Sequence, residues 1–282
     1  MGNIQNYING EFVNPIKNNW IDNYNPSIGE VCGQIPNSTK EDVEIGYLAA
    51  AKAFPKWSNT TLEERSKILS KIAGLILEKL DFLAKAESED NGKPISLAKQ
   101  IDIPRAASNF QFYANAITQF STEAHESLGL NALNFTLRQS IGVVGCISPW
   151  NLPLYLFSWK IAPALAYGNT VVFKPSELVC GSAWALAEII SRAGLPDGVF
   201  NLLMGQGAET GAALVEHPNV AGVTFTGSSA VGRKIGASVF ARGGKMQLEM
   251  GGKNPLIVLD DADLESAVEF AINGAFFSAG QR

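Results

Sequence analysis

The sequence predicts an α/β fold: a doubly wound parallel sheet, preceded by a β/α region and followed by the start of a second α/β domain. Three observations carry this expectation. Between Ile141 and Gly244, four apolar runs, IGVVGCI, TVVFK, VFNLLMG and AGVTFT, alternate with four helical patterns. That order gives a parallel sheet covered on both faces. Each intervening segment is long enough for a right-handed crossover. With 282 residues and 46% apolar composition, the chain can fill a sizeable core.

The opening NYINGEFV places two short alternating runs around Asn9-Gly10, the signature of a type I′ hairpin, so a small β element caps the start. A helical pattern from Glu41 to Phe54 follows. A longer one starts at Thr61, whose hydroxyl pairs with Glu64 in a capping box ahead of Ile68, Leu69, Ile72, Leu75, Ile76 and Leu83, and closes at Gly92 and Pro94. A third runs from Ile103 to about Gln119. The stretch from Ser121 to Ser140 mixes polar residues with the alternating Leu133, Phe135 and Leu137, and reads as an extended excursion rather than core. After the four strand–helix units, NPLIVLDDADLESAVEF from Asn254 reads as a new strand and helix. The expected division is therefore 1–252, including the excursion at about 121–140, and 253–282. The last helix carries Leu264, Val268, Ala271, Ile272, Ala275 and Phe276 along one face and has no Gly, Asn or polar tail to end it.

Composition excludes several classes of function. Net charge is −5, and no stretch concentrates basic residues, so nucleic acid and anionic membrane surfaces have no electrostatic footprint. The N-terminus lacks the basic and apolar regions of a secretory signal, and Pro, Lys or Asn interrupts the apolar stretches well short of a membrane span; a cytoplasmic protein is expected. Cys32, Cys146 and Cys180 are odd in number and lack metal-ligand spacing, and His125 and His217 are the only histidines. Neither a disulfide framework nor a metal site is expected.

Two Gly-bearing turns compete as phosphate-binding sites. GQGAETG, Gly205 to Gly211, follows a strand but spaces its glycines as G-x-G-x-x-x-G, which reads as a tight strand-to-helix turn. FTGSSAVG is the stronger candidate: Gly227 permits close backbone approach, Ser228 offers a hydroxyl, and the helix start leading to Gly232 presents N–H groups to a pyrophosphate. Glu249 in MQLEMGGK lies where the ribose-binding acid of a dinucleotide site is expected, and reads equally as a catalytic carboxylate. TVVFKPSE ends a strand with Lys174 and Glu177, a cation and a carboxylate at the edge where doubly wound sheets bind ligands; they read as holders of ribose hydroxyls or as a solvated loop pair.

Four segments in this order, SPWNLPLYLFSWKIAPALAYGNTVVFKPSE, FTGS, EMGGK and the terminal AGQR, resemble the aldehyde dehydrogenase superfamily over essentially the whole chain. The resemblance implies a Rossmann-like cofactor domain followed by a catalytic domain, with NAD expected in preference to NADP. It assigns Lys174, Glu177, Gly227, Ser228 and Gly232 to the cofactor, with Ser148 and Trp150 lining the same cleft through their backbone. It also implies that Asn151 is the oxyanion donor and Glu249 the general base. Met250 stands where leucine is usual. Within the superfamily, the long match and DIPR at Asp102 to Arg105 look most like the branch acting on 2-aminomuconic and 2-hydroxymuconic semialdehydes. In that branch the arginine helps hold a substrate carboxylate, which nominates Arg105 over the alternative of a surface arginine at a helix start.

The family nucleophile is a cysteine directly after the tripeptide matched by Gly280, Gln281 and Arg282. The expectation is an N-terminal portion, inactive by itself, of an enzyme that oxidises a small-molecule aldehyde and is a homo-oligomer at full length, with the 121–140 excursion resembling the family's subunit-contact hairpin. A non-catalytic dinucleotide-binding module and a partner subunit are the alternatives.

Overall fold

The structure, a computed structural model, describes residues 2–277. It begins with a hairpin, β1 (Asn6–Ile8) and β2 (Glu11–Val13), joined by Asn9 and Gly10 at φ 51 and 89. Two positive φ values in sequence are what a type I′ turn requires. A second hairpin, β3 (Trp20–Asn25) and β4 (Glu30–Pro36), forms its own small sheet.

A helical layer follows: α1 (Lys40–Ser58), α2 (Leu62–Glu78) and α3 (Leu80–Asn91). The capping box at the start of α2 forms as expected, with Glu64 N–H donating to Thr61 Oγ1 at 3.1 Å and Thr61 N–H donating to Glu64 Oε2 at 2.9 Å. The single long helix expected from Thr61 is instead two, broken at Lys79. That residue has φ −102 and ψ 22 with neither glycine nor proline there, so packing of α3 against its neighbours sets the break. The short α4 (Ile95–Leu97) and a π turn at 98–102 lead into α5 (Ile103–Ala116). The excursion is an exposed hairpin, β5 (Ala124–Ser127) and β6 (Ala132–Phe135).

The strand–helix units then run β7 (Val143–Ile147), α6 (Pro153–Ala166), β8 (Thr170–Lys174), α7 (Cys180–Ala193), β9 (Phe200–Leu202), α8 (Ala212–Glu216), β10 (Gly222–Gly227), α9 (Ser229–Ala241) and β11 (Lys245–Met250). All five strands are mutually parallel in the order β11-β10-β7-β8-β9. Odd-numbered Val143 and Ile147 of β7 pack into one apolar cluster with residues of α1, α8 and α9, while Val144 and Cys146 enter another built from α2, α3, α5, α6 and α7. This alternation buries both faces of the sheet, as its continuous apolar runs require.

The opening hairpin does more than cap the start. β1 pairs antiparallel with β9 through Tyr7 and Leu202, so the sheet becomes seven-stranded and mixed. The strand expected at Asn254 does not form: residues 251–259 pair with no described strand and are exposed. The following helix, α10 (Leu264–Phe276), does form, and none of its residues is buried.

Candidate active site

The chain lays β7, β8 and β9 in one direction across the sheet, then returns to place β10 on the other side of β7. The crevice at such a reversal, outside the carboxyl ends of the strands, is where open α/β sheets bind ligands. A cleft of about 550 Å³ lies there, lined by Ser148, Trp150, Lys174, Glu177, Gly227 and Ser228, together with part of α9. Six of the seven cofactor-site residues nominated from the sequence therefore meet in one cavity.

Register accounts for the convergence. Ile147 pairs with Lys174 on one side and Phe225 on the other, and Phe225 pairs with Leu248. One residue further along, Ser148, Thr226 and Glu249 occupy the next row at the same sheet edge. The Ser148 backbone N–H donates to the Lys174 carbonyl at 3.3 Å, which fixes the start of the loop leading to Asn151. The Ser148 hydroxyl is buried beside the cleft with no partner among the described residues.

Lys174 Nζ donates to Glu177 Oε2 at 2.9 Å. Burial raises the Glu177 carboxyl's pKa, but the Lys174 ammonium and nearby N–H groups outweigh it and hold the net value below the ordinary carboxylate range. Ser228 caps α9, its Oγ accepting from Val231 N–H at 3.4 Å. The remaining first-turn N–H groups have no intrahelical acceptor and lie beside the cleft. Gly227 and Gly232 are required by the protein's own packing: a Cβ on Gly227 would stand 2.5 Å from the Phe225 ring, and one on Gly232 would stand 2.5 Å from Met250 Sδ. Gly232 is buried and does not line the cleft.

Asn151 sits in the loop between β7 and α6, at the amino end of α6. Glu249, in β11 beside Thr226, is exposed and accepts from Gln247 Nε2 at 3.3 Å. Arg105 is exposed in the first turn of α5, with its guanidinium 5.6 Å from the centre of the Tyr155 ring on α6. It forms no ion pair among the described residues. Gly280, Gln281 and Arg282 lie outside the described residues.

The sequence reading undervalued two contributors. Gly207, Ala208, Gly211 and Ala212 line the same cleft, although their spacing reads as a plain turn; that turn forms, with Gly205 at φ 154 against Thr210. On α9, Val231, Lys234, Ile235 and Ser238 also face the cavity, and their i, i+3, i+4, i+7 spacing was the available signal. A polar relay, Lys160 Nζ to Thr224 Oγ1 at 3.1 Å and Thr224 Oγ1 to Gln247 Oε1 at 2.7 Å, runs from the buried Lys160 to the exposed Gln247 on the strand that carries Glu249. Burial pushes the Lys160 pKa down to about 8.

Of the cysteines, Cys146 and Cys180 are buried, and burial pushes the Cys146 thiol up to about 12 and the Cys180 thiol higher still. Such thiols are poor nucleophiles. Among the described residues, no cluster of His, Cys, Asp and Glu is arranged to hold a metal, and no helix is long and apolar enough to cross a membrane.

Comparison with known proteins decides the family. Residues 12–282 match the aldehyde dehydrogenase family. The chain belongs to that family. It is 43% identical over 278 residues to human 2-aminomuconic semialdehyde dehydrogenase, covering 99% of this chain and 57% of the relative. It is 40% identical to 2-hydroxymuconic semialdehyde dehydrogenase of Pseudomonas sp., covering all of this chain and 59% of that protein. The fold superimposes on the NAD+ complex of aldehyde dehydrogenase from Bacillus cereus with a TM-score of 0.96 at 38% identity, over 99% of this chain and 57% of that one. The chain thus spans a little over half the length of these aldehyde dehydrogenases.

Proposed function

We propose that this chain is the N-terminal, cofactor-binding portion of an NAD-dependent dehydrogenase that oxidises a carboxylate-bearing semialdehyde to the corresponding acid. The observation that carries the reading is the cleft at the β7/β10 reversal, where the Lys174–Glu177 pair faces the capped start of α9. A dinucleotide fits it: the unpartnered Ser148 hydroxyl, the α9 N–H groups and a charged carboxylate at Glu177 are the donors and acceptors that a pyrophosphate and a ribose diol need. Like-charge repulsion between Glu177 and a 2′-phosphate supports NAD over NADP.

When bound, NAD supplies a two-electron acceptor. The chain's own residues do the rest of the work proposed here. The Asn151 amide stabilises the oxyanion that develops when a thiolate attacks the aldehyde carbonyl; removing one such donor typically costs about 10²–10³ in rate. Attack gives a thiohemiacetal, whose loss of hydride to that acceptor would leave a thioester; Glu249 takes a proton from the water that hydrolyses it, giving the carboxylic acid and releasing the thiol. Arg105 supplies a planar fork for the substrate's distal carboxylate, a role supported by its having no competing ion pair among the described residues. In the family this chain resembles, the nucleophile is a cysteine directly after the tripeptide matched by Gly280, Gln281 and Arg282, and the buried Cys146 and Cys180 are unsuited to that task. Residues 1–252 then form the cofactor domain and 253–282 open the catalytic one. The β5–β6 hairpin, with Leu128, Leu133 and Phe135 exposed, is the proposed homo-oligomer contact. Three unpaired cysteines fit a reducing compartment such as the cytoplasm.

Calorimetric titration of the 282-residue chain with NAD tests the reading. One site per chain is expected, with no NADH formed from added aldehyde. Absence of binding would reject the cofactor role, and turnover would reject the assignment of the nucleophile.

A further inference from the structure

Two side chains one turn apart on α3 reach both ends of the loop that carries Asn151. Glu87 Oε2 accepts from Leu154 N–H at 3.0 Å, and Asn91 Nδ2 lies 3.5 Å from the carbonyl oxygens of both Trp150 and Asn151. The first contact matters because α6 has no cap of its own: its N-cap residue is Leu152, which offers no side-chain acceptor, and Pro153 occupies the first helical position. A carboxyl oxygen delivered from another helix therefore satisfies an N–H that would otherwise lack an acceptor.

The clamp is itself fixed in place. Glu87 Oε1 accepts from Lys93 Nζ at 3.1 Å, and the same ammonium donates to Asp102 Oδ2 at 2.5 Å. All three side chains are at most 1% exposed. The turn after α3 folds back on the helix, with Lys93 N–H donating to Asn91 Oδ1 at 3.1 Å and Ser88 Oγ donating to the Lys93 carbonyl at 2.6 Å. Burying three ionisable groups is costly, burial pushing the Glu87 carboxyl up to about 7, and replacing such a cluster by apolar residues is often neutral or stabilising. A polar cluster of this kind, with two arms on a single loop, is better explained by the geometry it enforces than by the stability it adds.

We propose that Glu87 and Asn91, braced by Lys93 and Asp102, are positioning residues that hold the 150–154 loop so that the Asn151 amide meets the oxyanion. Neither touches the reacting atoms. The proposal rests on the reading of Asn151 as oxyanion donor. A loop left free to shift by about 1 Å at such a site costs on the order of 10²-fold in rate.

Two variants separate positioning from plain structure. Asn91→Asp keeps the oxygen that accepts Lys93 N–H but removes the donor facing the two carbonyls. Glu87→Ala removes the acceptor for Leu154 N–H, whereas Glu87→Gln retains one. In the active polypeptide that carries this chain and its nucleophile, Asn91→Asp and Glu87→Ala are expected to lower kcat by about 10- to 10²-fold, with KM for NAD within about twofold of wild type. Glu87→Gln recovers part of the loss. Unchanged kcat, or kcat and the NAD KM failing together, overturns the proposal. On the 282-residue chain, hydrogen exchange at the Leu154 amide is expected to rise at least about tenfold in Glu87→Ala while the β8 amides stay protected. Unchanged exchange at Leu154 overturns the clamp itself. If wild-type protein fails to oxidise any aldehyde, the proposal falls with the functional reading on which it rests, and the exchange result shows whether the loop is clamped regardless.

Discussion

Lys174 and Glu177 form an ion pair in which the ammonium is 3% exposed and the carboxylate 38% exposed, so the cation is the buried member and the anion the accessible one. Replacing Glu177 by Gln removes the charge while keeping the shape. NAD affinity of the 282-residue chain, measured by calorimetry, is expected to fall about 10- to 100-fold, since a hydrogen bond to a charged group is worth about 1.5–3 kcal/mol. NADP affinity should fall less. An unchanged NAD Kd would remove Glu177 from the ribose.

The glycine at 232 makes a second prediction. Gly232→Ala drives a Cβ into Met250 Sδ, and the cost of overpacking, about 1–3 kcal/mol, should appear as a lowered thermal midpoint. Because the obstructing atom belongs to a flexible side chain, adding Met250→Ala should restore most of that loss. Failure of the double variant to recover would show that the glycine answers to a backbone constraint instead.

Asp90 links stability to pH. It is fully buried and accepts from Ser182 N–H at 2.6 Å, Ser182 Oγ at 2.7 Å and Gly181 N–H at 3.3 Å, at the start of α7. Burial pushes its pKa from 3.8 up to about 6, against hydrogen bonds that lower it. Because the folded value is raised, the contribution is fully present below pH 4 and is lost as pH rises through about 6. The change is on the order of 2–3 kcal/mol over that window. Urea denaturation at pH 5 and pH 7.5 should show a steeper dependence for wild type than for Asp90→Asn, and equal slopes would contradict the assignment.

For Arg105, replacement by Ala in the active polypeptide should raise KM for acidic semialdehydes by about tenfold or more while sparing neutral aldehydes. Equal loss on both classes rejects the carboxylate role.

The α10 face is the last case. Val268 and Ile272 are about half exposed, and Leu264, Phe270 and Phe276 more so. An apolar patch of this kind favours association. The 282-residue chain should self-associate with rising concentration in sedimentation, and Val268→Lys with Ile272→Lys should suppress this without altering the NAD Kd.

The parallel sheet was legible because strands buried on both faces read as unbroken apolar runs, and the position of Lys174 and Glu177 because charges ending such a run emerge at the sheet edge. Asn9-Gly10 announced its turn but not its pairing: nothing local to Tyr7 points to Leu202, and three-residue strands leave little pattern. The break at Lys79 carries no glycine or proline signal. NPLIVLD has strand composition, yet a strand exists only when a neighbour completes its ladder, and none of the described strands does. Glu87, Lys93 and Asp102 were missed for the opposite reason. Charged side chains on helices and in the turns between them read as solvated, and only tertiary packing brings the three together.

Strand order also decides when the cleft can exist. Its walls come from segments around residues 148, 177, 207 and 228, and the last arrives only after the chain has crossed β7 and β8, visited β9 and doubled back. Contacts so distant in sequence form late, since each closes a long loop. Any molecule that occupies the cleft binds only the assembled sheet, so its presence raises the unfolding midpoint by mass action. Occupancy thereby reports on whether the polypeptide has finished folding as directly as on what it binds.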